Sequence, residues 1–235
     1  MVTSIIAWGD SILKGVVSGG DSKRFDITEN DSLSQACKAL GIELANKSVF
    51  GSWMTKTRRT QDRSLRNGAR AQIGIIESGT NDCDYDWSAV SANPDGDHLQ
   101  RCPLDEFSRL MEEAVSVARQ NKITPVIMTL TPLVPEWWFN NICIGNDEAA
   151  ILKFLKAEKA AAATRLYQNQ ELFSLKAAAI ARALDVQIVD IRSEFLAHPN
   201  YKTLMCLDGV HPNQAGYDFM AEIWKREIPK LRVEF

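Results

Sequence analysis

The chain lacks the features of a nucleic-acid-binding or membrane-spanning protein. Its 235 residues include 27 Lys and Arg against 30 Asp and Glu, and the net charge of -3 leaves no basic excess for binding nucleic acid. No apolar run is long enough to cross a bilayer. The first residues also lack the pattern of a secretory signal, which is a basic segment followed by an apolar core and a cleavage site. We therefore expect a cytoplasmic protein without a membrane span, although a processed exported form would look the same.

Cysteine is scarce, and its pattern excludes further classes of site. The five cysteines are an odd set without a Cys-x-x-Cys pair, which favours neither a disulfide framework nor a zinc site. We expect reduced thiols, with a pairing of Cys83 and Cys102 left open because the two flank one polar loop. Residues 9–15 lack the Gly-Lys-Ser or Gly-Lys-Thr ending that cradles nucleotide phosphates. No metal and no cofactor is expected.

Short apolar runs alternate with helical patterns along the chain. The runs that are typical of buried strands cover residues 5–8, 42–49, 71–77, 123–130 and 186–191. Residues 104–121 show the clearest amphipathic helix, and the alanine-rich residues 147–184 predict one long helix or two in series. Because strands that alternate with helices pair in parallel through right-handed crossovers, the sequence predicts an α/β protein, a three-layer α/β/α sandwich around a five-stranded parallel sheet. We expect a single domain over residues 1–235.

Two segments between these elements are predicted to be loops. Residues 18–22 are polar and glycine-rich, and residues 83–103 form a long polar stretch. Loops as long as the second are usually functional or mobile in compact domains.

Residues suited to acyl transfer follow the ends of the predicted strands. Ser11, Gly51 and Asn81 come after the first three strands, whose carboxyl ends meet at one edge of a parallel sheet. A serine hydroxyl is a weak nucleophile unless a base removes its proton, and the chain has only three histidines. His211 is the best placed, because Asp208 lies three residues earlier and can orient the imidazole and stabilise its charged form.

Attack on an ester carbonyl also requires hydrogen-bond donors for the negative charge that develops on oxygen. The backbone N–H groups of Ser11 and Gly51 and the side-chain amide of Asn81 are the candidates. Each residue also has an ordinary interpretation, since serine and asparagine are common in turns. A second Gly-Asp-Ser sequence at residues 20–22 follows a polar turn and is interpreted as a loop, so it is the ordered set, rather than Ser11 alone, that favours catalysis.

The ordered set resembles the SGNH (GDSL-type) hydrolase family. The resemblance extends over nearly the whole chain, and isoleucine stands between the serine and the leucine of the first motif. It is carried by residues 9–13 (Gly-Asp-Ser-Ile-Leu), Gly51, residues 79–82 (Gly-Thr-Asn-Asp) and residues 208–212 (Asp-Gly-Val-His-Pro).

The resemblance implies a flavodoxin-like SGNH hydrolase fold and a role for each matching residue. Ser11 would be the nucleophile, His211 the base and Asp208 the residue that orients it. Ser11, Gly51 and Asn81 would form the oxyanion hole.

The sequence therefore predicts a serine ester hydrolase that cleaves small or acyl esters through an acyl-enzyme intermediate. An acyltransferase or thioesterase that uses the same triad remains an alternative, as does a carbohydrate- or acyl-binding module that does not catalyse. The expected partner is a small-molecule ester, with sugar acetates, short aliphatic esters, lysophospholipids and thioesters all compatible. Trp137, Trp138 and Phe139 follow the fourth strand and predict a hydrophobic wall or lid for the substrate. No oligomeric state is predicted.

Overall fold

The computed structural model describes residues 2–19 and 24–235. Its strands are β1 (Ser4–Trp8), β2 (Val16–Ser18), β3 (Phe25–Ile27), β4 (Glu43–Asn46), β5 (Ile73–Ile76), β6 (Thr124–Met128) and β7 (Gln187–Val189). Its α-helices are α1 (Ser11–Lys14), α2 (Ser32–Leu40), α3 (Met54–Arg66), α4 (Trp87–Ala92), α5 (Leu104–Gln120), α6 (Pro135–Ile142), α7 (Glu148–Leu155), α8 (Lys159–Ala183), α9 (Ile191–Ala197) and α10 (Gln214–Glu227). Short 3₁₀-helices occupy Tyr201–Leu204 and Ile228–Lys230.

The five predicted apolar runs form the central sheet. The strand order is β4-β1-β5-β6-β7, and every neighbouring pair is parallel. The predicted α/β fold with a five-stranded parallel sheet is therefore confirmed. All the carboxyl ends of these strands lie at one edge, so the loops after β1, β4 and β5 converge there.

Helices cover both faces of the sheet. Because successive side chains of a strand point to opposite faces, each strand packs against both layers of helices. In β1, Ile5 and Ala7 pack against the cluster that α2, α9 and α10 complete, whereas Ile6 and Trp8 pack against the cluster that α3, α5 and α8 complete. A third cluster joins α4, α6, α7 and the start of α8. All four of these β1 side chains are buried. The continuous apolar sequence of the strand reflects this burial on both faces.

The structure corrects the loop predictions at Ser18 and within residues 83–103. Ser18 belongs to β2, which pairs antiparallel with β3, while residues 20–22, the second Gly-Asp-Ser sequence, lie outside the described residues. The buried Tyr217 hydroxyl donates to the carbonyl of Val16 at 2.7 Å, so the hairpin depends on a contact with α10 that its own sequence does not reveal. The predicted long loop at residues 83–103 contains α4, which is only 6 residues long.

The alanine-rich segment forms two helices. Lys156 adopts a left-handed conformation with φ 49° and ends α7, after which α8 runs for 25 residues. The prediction of two helices in series is thus the correct alternative.

All five cysteines are free thiols, and both Cys83 and Cys102 are buried. Their pairing, which the sequence left open, does not occur in the structure.

Among residues 2–19 and 24–235, no helix is both long and apolar enough to cross a membrane.

Candidate active site

Ser11 lies in a tight turn between the end of β1 and the start of α1. Asp10 Oδ1 accepts a hydrogen bond from the N–H of Ile12 at 2.8 Å, which caps α1, and Gly15 ends this single turn with φ 83°. Position 9 has little room for a side chain, because a Cβ atom there would lie only 2.8 Å from Glu77 Oε2. The turn therefore places the Ser11 hydroxyl at the carboxyl edge of the sheet.

The loop that carries Asp208 and His211 is held by its own backbone. Asp208 Oδ1 accepts hydrogen bonds from the N–H groups of Val210 (3.0 Å) and His211 (3.1 Å). Gly209 has φ 77° and lies against the start of α6, where a Cβ atom would be only 2.5 Å from the Trp138 nitrogen. Only glycine suits both this conformation and this close approach.

Ser11, His211 and Asp208 form one hydrogen-bonded chain. His211 Nε2 lies 2.9 Å from Ser11 Oγ, and His211 Nδ1 lies 2.6 Å from Asp208 Oδ2. Burial by itself would raise the pKa of Asp208. The effect of burial is outweighed by the hydrogen bond and charge of His211 and by the two backbone N–H groups, so the pKa of Asp208 lies below its ordinary value. The ionised carboxylate favours a proton on Nδ1, which leaves Nε2 free to take the serine proton.

The three predicted oxyanion donors surround the same cavity as the Ser11 hydroxyl. Within the described residues, the N–H groups of Ser11 and Gly51 have no hydrogen-bond acceptor. The N–H of Val49 donates to the carbonyl of Gly9 at 3.0 Å, which attaches the Gly51 turn (φ 64°) to the Ser11 turn. Asn81 uses one N–H of Nδ2 to donate to Asp10 Oδ2 at 3.1 Å, which leaves its other N–H available.

Three carboxyl groups are fully buried directly behind these loops: Asp10, Glu77 and Asp82. Burial is the main cause that raises the pKa of each of them, to about 7 for Asp82 and well above its ordinary range for Glu77. Asp82 Oδ1 accepts the N–H of Met54 at 2.7 Å and so caps α3 from a distant segment.

The cavity has a volume of about 200 Å³. Its apolar wall includes Phe25, Phe50, Leu133, Trp138 and Leu166. Asp84, Asn141 and Asn169 add polar groups to the lining. Burial raises the pKa of Asp84 to about 6, although the Trp87 indole N–H donates to its Oδ1 at 2.7 Å.

Of the three aromatic residues predicted to contact substrate, only Trp138 lines this cavity. Phe139 is fully buried in the cluster between α4, α6 and α7, and Trp137 packs against the cluster under α2 and α10. The reason is that the three residues lie on α6, where successive side chains point about 100° apart.

Sequence reasoning missed the aromatic residues next to the histidine. The rings of Phe25 and Phe50 have centroids 5.5 Å and 6.3 Å from that of His211. Phe25 belongs to β3 of a hairpin that was not predicted, and its local signal was the alternation of Phe25, Asp26 and Ile27. Leu166 and Asn169 were missed because their helix, α8, lies far from every motif in the sequence.

In the described part of the chain, no group of three or more His, Cys, Asp or Glu side chains is arranged to hold a metal ion.

A hydrogen-bonded serine and histidine at the carboxyl edge of a parallel sheet is an arrangement that can support attack on an acyl group. A model of the GDSL-like lipase/acylhydrolase family matches residues 7–219. The chain therefore belongs to the GDSL-like lipase/acylhydrolase family, which supports a hydrolase of the lipase or esterase kind. A comparison with curated proteins found no match.

Solved structures of similar fold come from several bacteria. A lipase/acylhydrolase from Enterococcus faecalis is 14% identical with a TM-score of 0.68, covering 99% of this chain and 99% of its own. A catalytic mutant of an acetylxylan esterase from Geobacillus stearothermophilus is 18% identical with a TM-score of 0.66, covering 96% and 94%. A carbohydrate acetylesterase from Sinorhizobium meliloti is 13% identical with a TM-score of 0.66, covering 97% and 100%. At these identities the likeness establishes the shared fold.

Proposed function

We propose that the protein is a carboxylic ester hydrolase that uses Ser11 as nucleophile, His211 as general base and Asp208 as the residue that orients the base. The observation that carries this proposal is the continuous hydrogen-bonded chain from Asp208 Oδ2 through His211 to Ser11 Oγ, with distances of 2.6 Å and 2.9 Å. This chain opens into a cavity that also contains candidate oxyanion donors.

In the acylation half-reaction, Ser11 Oγ attacks the ester carbonyl while His211 Nε2 takes its proton. The carbonyl oxygen becomes negatively charged and receives hydrogen bonds from the N–H groups of Ser11 and Gly51 and from Asn81 Nδ2. Asp208 stabilises the imidazolium that forms. As the tetrahedral intermediate collapses, His211 returns the proton to the departing alcohol oxygen, and the acyl group stays on Ser11.

In the deacylation half-reaction, the same groups act on a water molecule. His211 Nε2 removes a proton from the water, whose oxygen attacks the acyl-enzyme carbonyl at the same oxyanion site. His211 then gives the proton back to Ser11 Oγ, which releases the carboxylic acid. The deacylation step therefore needs no residue beyond those used in acylation.

We propose short acyl groups as the preferred acyl part of the substrate. The cavity volume of about 200 Å³ lies below the roughly 300–1,000 Å³ of sites that enclose drug-sized ligands. Trp138 and Leu166 restrict the apolar space, and Asn141 and Asn169 offer hydrogen bonds to a polar alcohol part. Two of the structurally similar proteins are described as acetyl esterases, which agrees with this size.

The test is the substitution Ser11→Ala, with Ser88→Ala on the exposed surface of α4 as the matched control. We expect Ser11→Ala to lower kcat for 4-nitrophenyl acetate by about 10⁴-fold or more, because nucleophile and base act as a unit. A fluorophosphonate probe should add its mass to Ser11 in the parent protein and in Ser88→Ala, but not in Ser11→Ala. Activity retained in Ser11→Ala, or labelling of another residue, would contradict the proposal.

Adding a competing alcohol to the same assay distinguishes hydrolysis from acyl transfer. We expect free carboxylic acid as the main product. A product made predominantly of the new ester would instead identify an acyltransferase that uses the same triad.

A further inference from the structure

Two of the three carboxyl groups buried behind the active site belong to residues that are hydrogen-bonded to each other, and the proposed mechanism uses neither. Asp10 and Glu77 are both fully buried. The backbone N–H of Asp10 donates to Glu77 Oε2 at 3.0 Å, and the negative charge of Asp10 helps to raise the pKa of Glu77. The third carboxyl group, Asp82, is already accounted for, since it accepts from Met54 N and from Ser78 Oγ.

Asp10 and Glu77 cannot both be ionised. Like charges on two neighbouring buried groups repel strongly, so a buried carboxyl pair of this kind holds one proton between its members, as paired carboxyl groups in other enzymes do. One member is therefore a neutral acid and the other a carboxylate.

The hydrogen bonds around the pair decide which member keeps the proton. Both oxygens of Asp10 already accept, Oδ1 from the N–H of Ile12 at 2.8 Å and Oδ2 from Asn81 Nδ2 at 3.1 Å. Glu77 accepts only the N–H of Asp10, and its Oε1 has no hydrogen-bond partner within the described residues. Donors stabilise the charged form, so the charge resides on Asp10 and the proton on Glu77.

The other titratable groups that face this pair act in the same sense. The negative charge of Asp82 adds to that of Asp10 in opposing ionisation of Glu77, whereas His211 favours ionisation of Asp10. Burial is nevertheless the largest influence, and it holds the pKa of Glu77 well above its ordinary value.

We propose that Glu77 is a positioning residue that stays a neutral acid and, through Asp10, holds the Ser11 turn and the Asn81 amide in place for catalysis. This inference rests on the proposed function. Glu77 binds the backbone N–H of Asp10, the residue immediately before Ser11, and the carboxylate of the same Asp10 binds the amide of Asn81. The end of β5 is thereby connected to both the nucleophile and an oxyanion donor.

The same arrangement explains why glycine precedes Asp10. A Cβ atom at Gly9 would approach Glu77 Oε2 to 2.8 Å and displace the acid from its partner.

The substitutions Glu77→Gln and Glu77→Leu test the proposal. Glutamine is neutral and can still accept the Asp10 N–H and donate to the Asp10 carboxylate, so kcat for 4-nitrophenyl acetate should stay within about threefold and the pH profile should not move. Leucine fills similar space without either hydrogen bond. We expect its kcat to fall by about 10- to 100-fold with KM nearly unchanged, because misplaced donors weaken binding of the transition state more than that of the substrate.

Infrared spectroscopy tests the protonation state without relying on the leucine variant folding. Measured well above the pKa of about 7 of Asp82, the parent protein should show the band of a buried neutral carboxylic acid that Glu77→Gln lacks. An identical spectrum for the two proteins would overturn the proposal. So would a glutamine variant as slow as the leucine variant, or a folded leucine variant with the parent kcat.

These outcomes are distinct from a failure of the proposed function. If Ser11→Ala is inactive while folded Glu77→Leu is fully active, only the role of Glu77 is wrong. If Ser11→Ala retains activity, the proposed function itself is wrong.

Discussion

The substitution Asp82→Asn should make the stability of the protein less sensitive to pH. Burial raises the pKa of Asp82 from 3.8 to about 7 in the folded protein, whereas in the unfolded chain it titrates near its ordinary value. Between those values the folded protein keeps a proton that the unfolded chain releases, so the free energy of unfolding falls as pH rises. The contribution of Asp82 to the free energy of unfolding is complete below the pKa of the unfolded chain. It is lost as the pH rises through the pKa of the folded protein. At about 1.4 kcal/mol per pH unit, the loss from about pH 5 to about pH 8 is about 2 to 3 kcal/mol.

Asparagine is a suitable replacement because it preserves the shape and the hydrogen bonds of the site. Its oxygen can accept the Met54 N–H that Asp82 Oδ1 accepts at 2.7 Å, and its amide can donate to Ser78 Oγ, which lies 2.9 Å from Oδ2. Asp97→Asn, at an exposed position, is the matched control for the change of charge.

The assay is urea-induced unfolding of each protein at both pH values. We expect Asp82→Asn to lose about 2 to 3 kcal/mol less stability than the parent protein between the two conditions, and Asp97→Asn to behave like the parent. An equal loss in Asp82→Asn and in the parent would refute the reasoning.

Two further predictions concern the candidate active site. Asp208→Asn presents an N–H to His211 Nδ1, which forces the ring proton onto Nε2, so kcat for 4-nitrophenyl acetate should fall by about 10⁴-fold; a fall below about tenfold would contradict the role of Asp208. Trp138→Ala enlarges the cavity, so the ratio of kcat/KM for hexanoyl over acetyl esters should rise by about tenfold or more. Trp137→Ala is its control because that side chain lies outside the cavity lining, and an equal change of preference in both variants would show that the cavity wall does not select the acyl group.

The fold was predictable where elements were long or wholly apolar. The inner strands β1, β5 and β6 are buried on both faces, and their sequences are correspondingly rich in apolar residues. The edge strands β4 and β7 are only partly buried, but all five strands were located. The hairpin of β2 and β3 was missed because each of its strands has 3 residues and β3 is exposed. Helix α4 was missed because it is short, although Asp86 Oδ1 caps it by accepting the N–H of Ala89 at 3.1 Å. The single domain over residues 1–235 stays a prediction.

The candidate site was predictable in its chemistry and not in its surroundings. The motif residues stand out because acyl transfer requires a nucleophile, a base and donors, and the sequence places these types after successive strands. The apolar cavity wall comes from β3, α6, α8 and the loops that carry Phe50 and Leu133, whose side chains carry no chemical signature. Phe139 shows the difficulty, since it adjoins Trp138 in sequence but is buried on another face of α6.

The sequence by itself determined the order of the strands along the chain, the residue types at their ends and, through these, the family. Those features are local, because a few adjacent residues are enough to indicate a buried strand and the chemistry of the side chains that follow it. Only the tertiary structure decided that His211 Nε2 lies 2.9 Å from Ser11 Oγ, that Phe25 and Phe50 flank the imidazole, and that Glu77 meets Asp10. These contacts join segments from separate strands and loops, so they depend on strand order and register across the sheet and on how the loops pack at its edge.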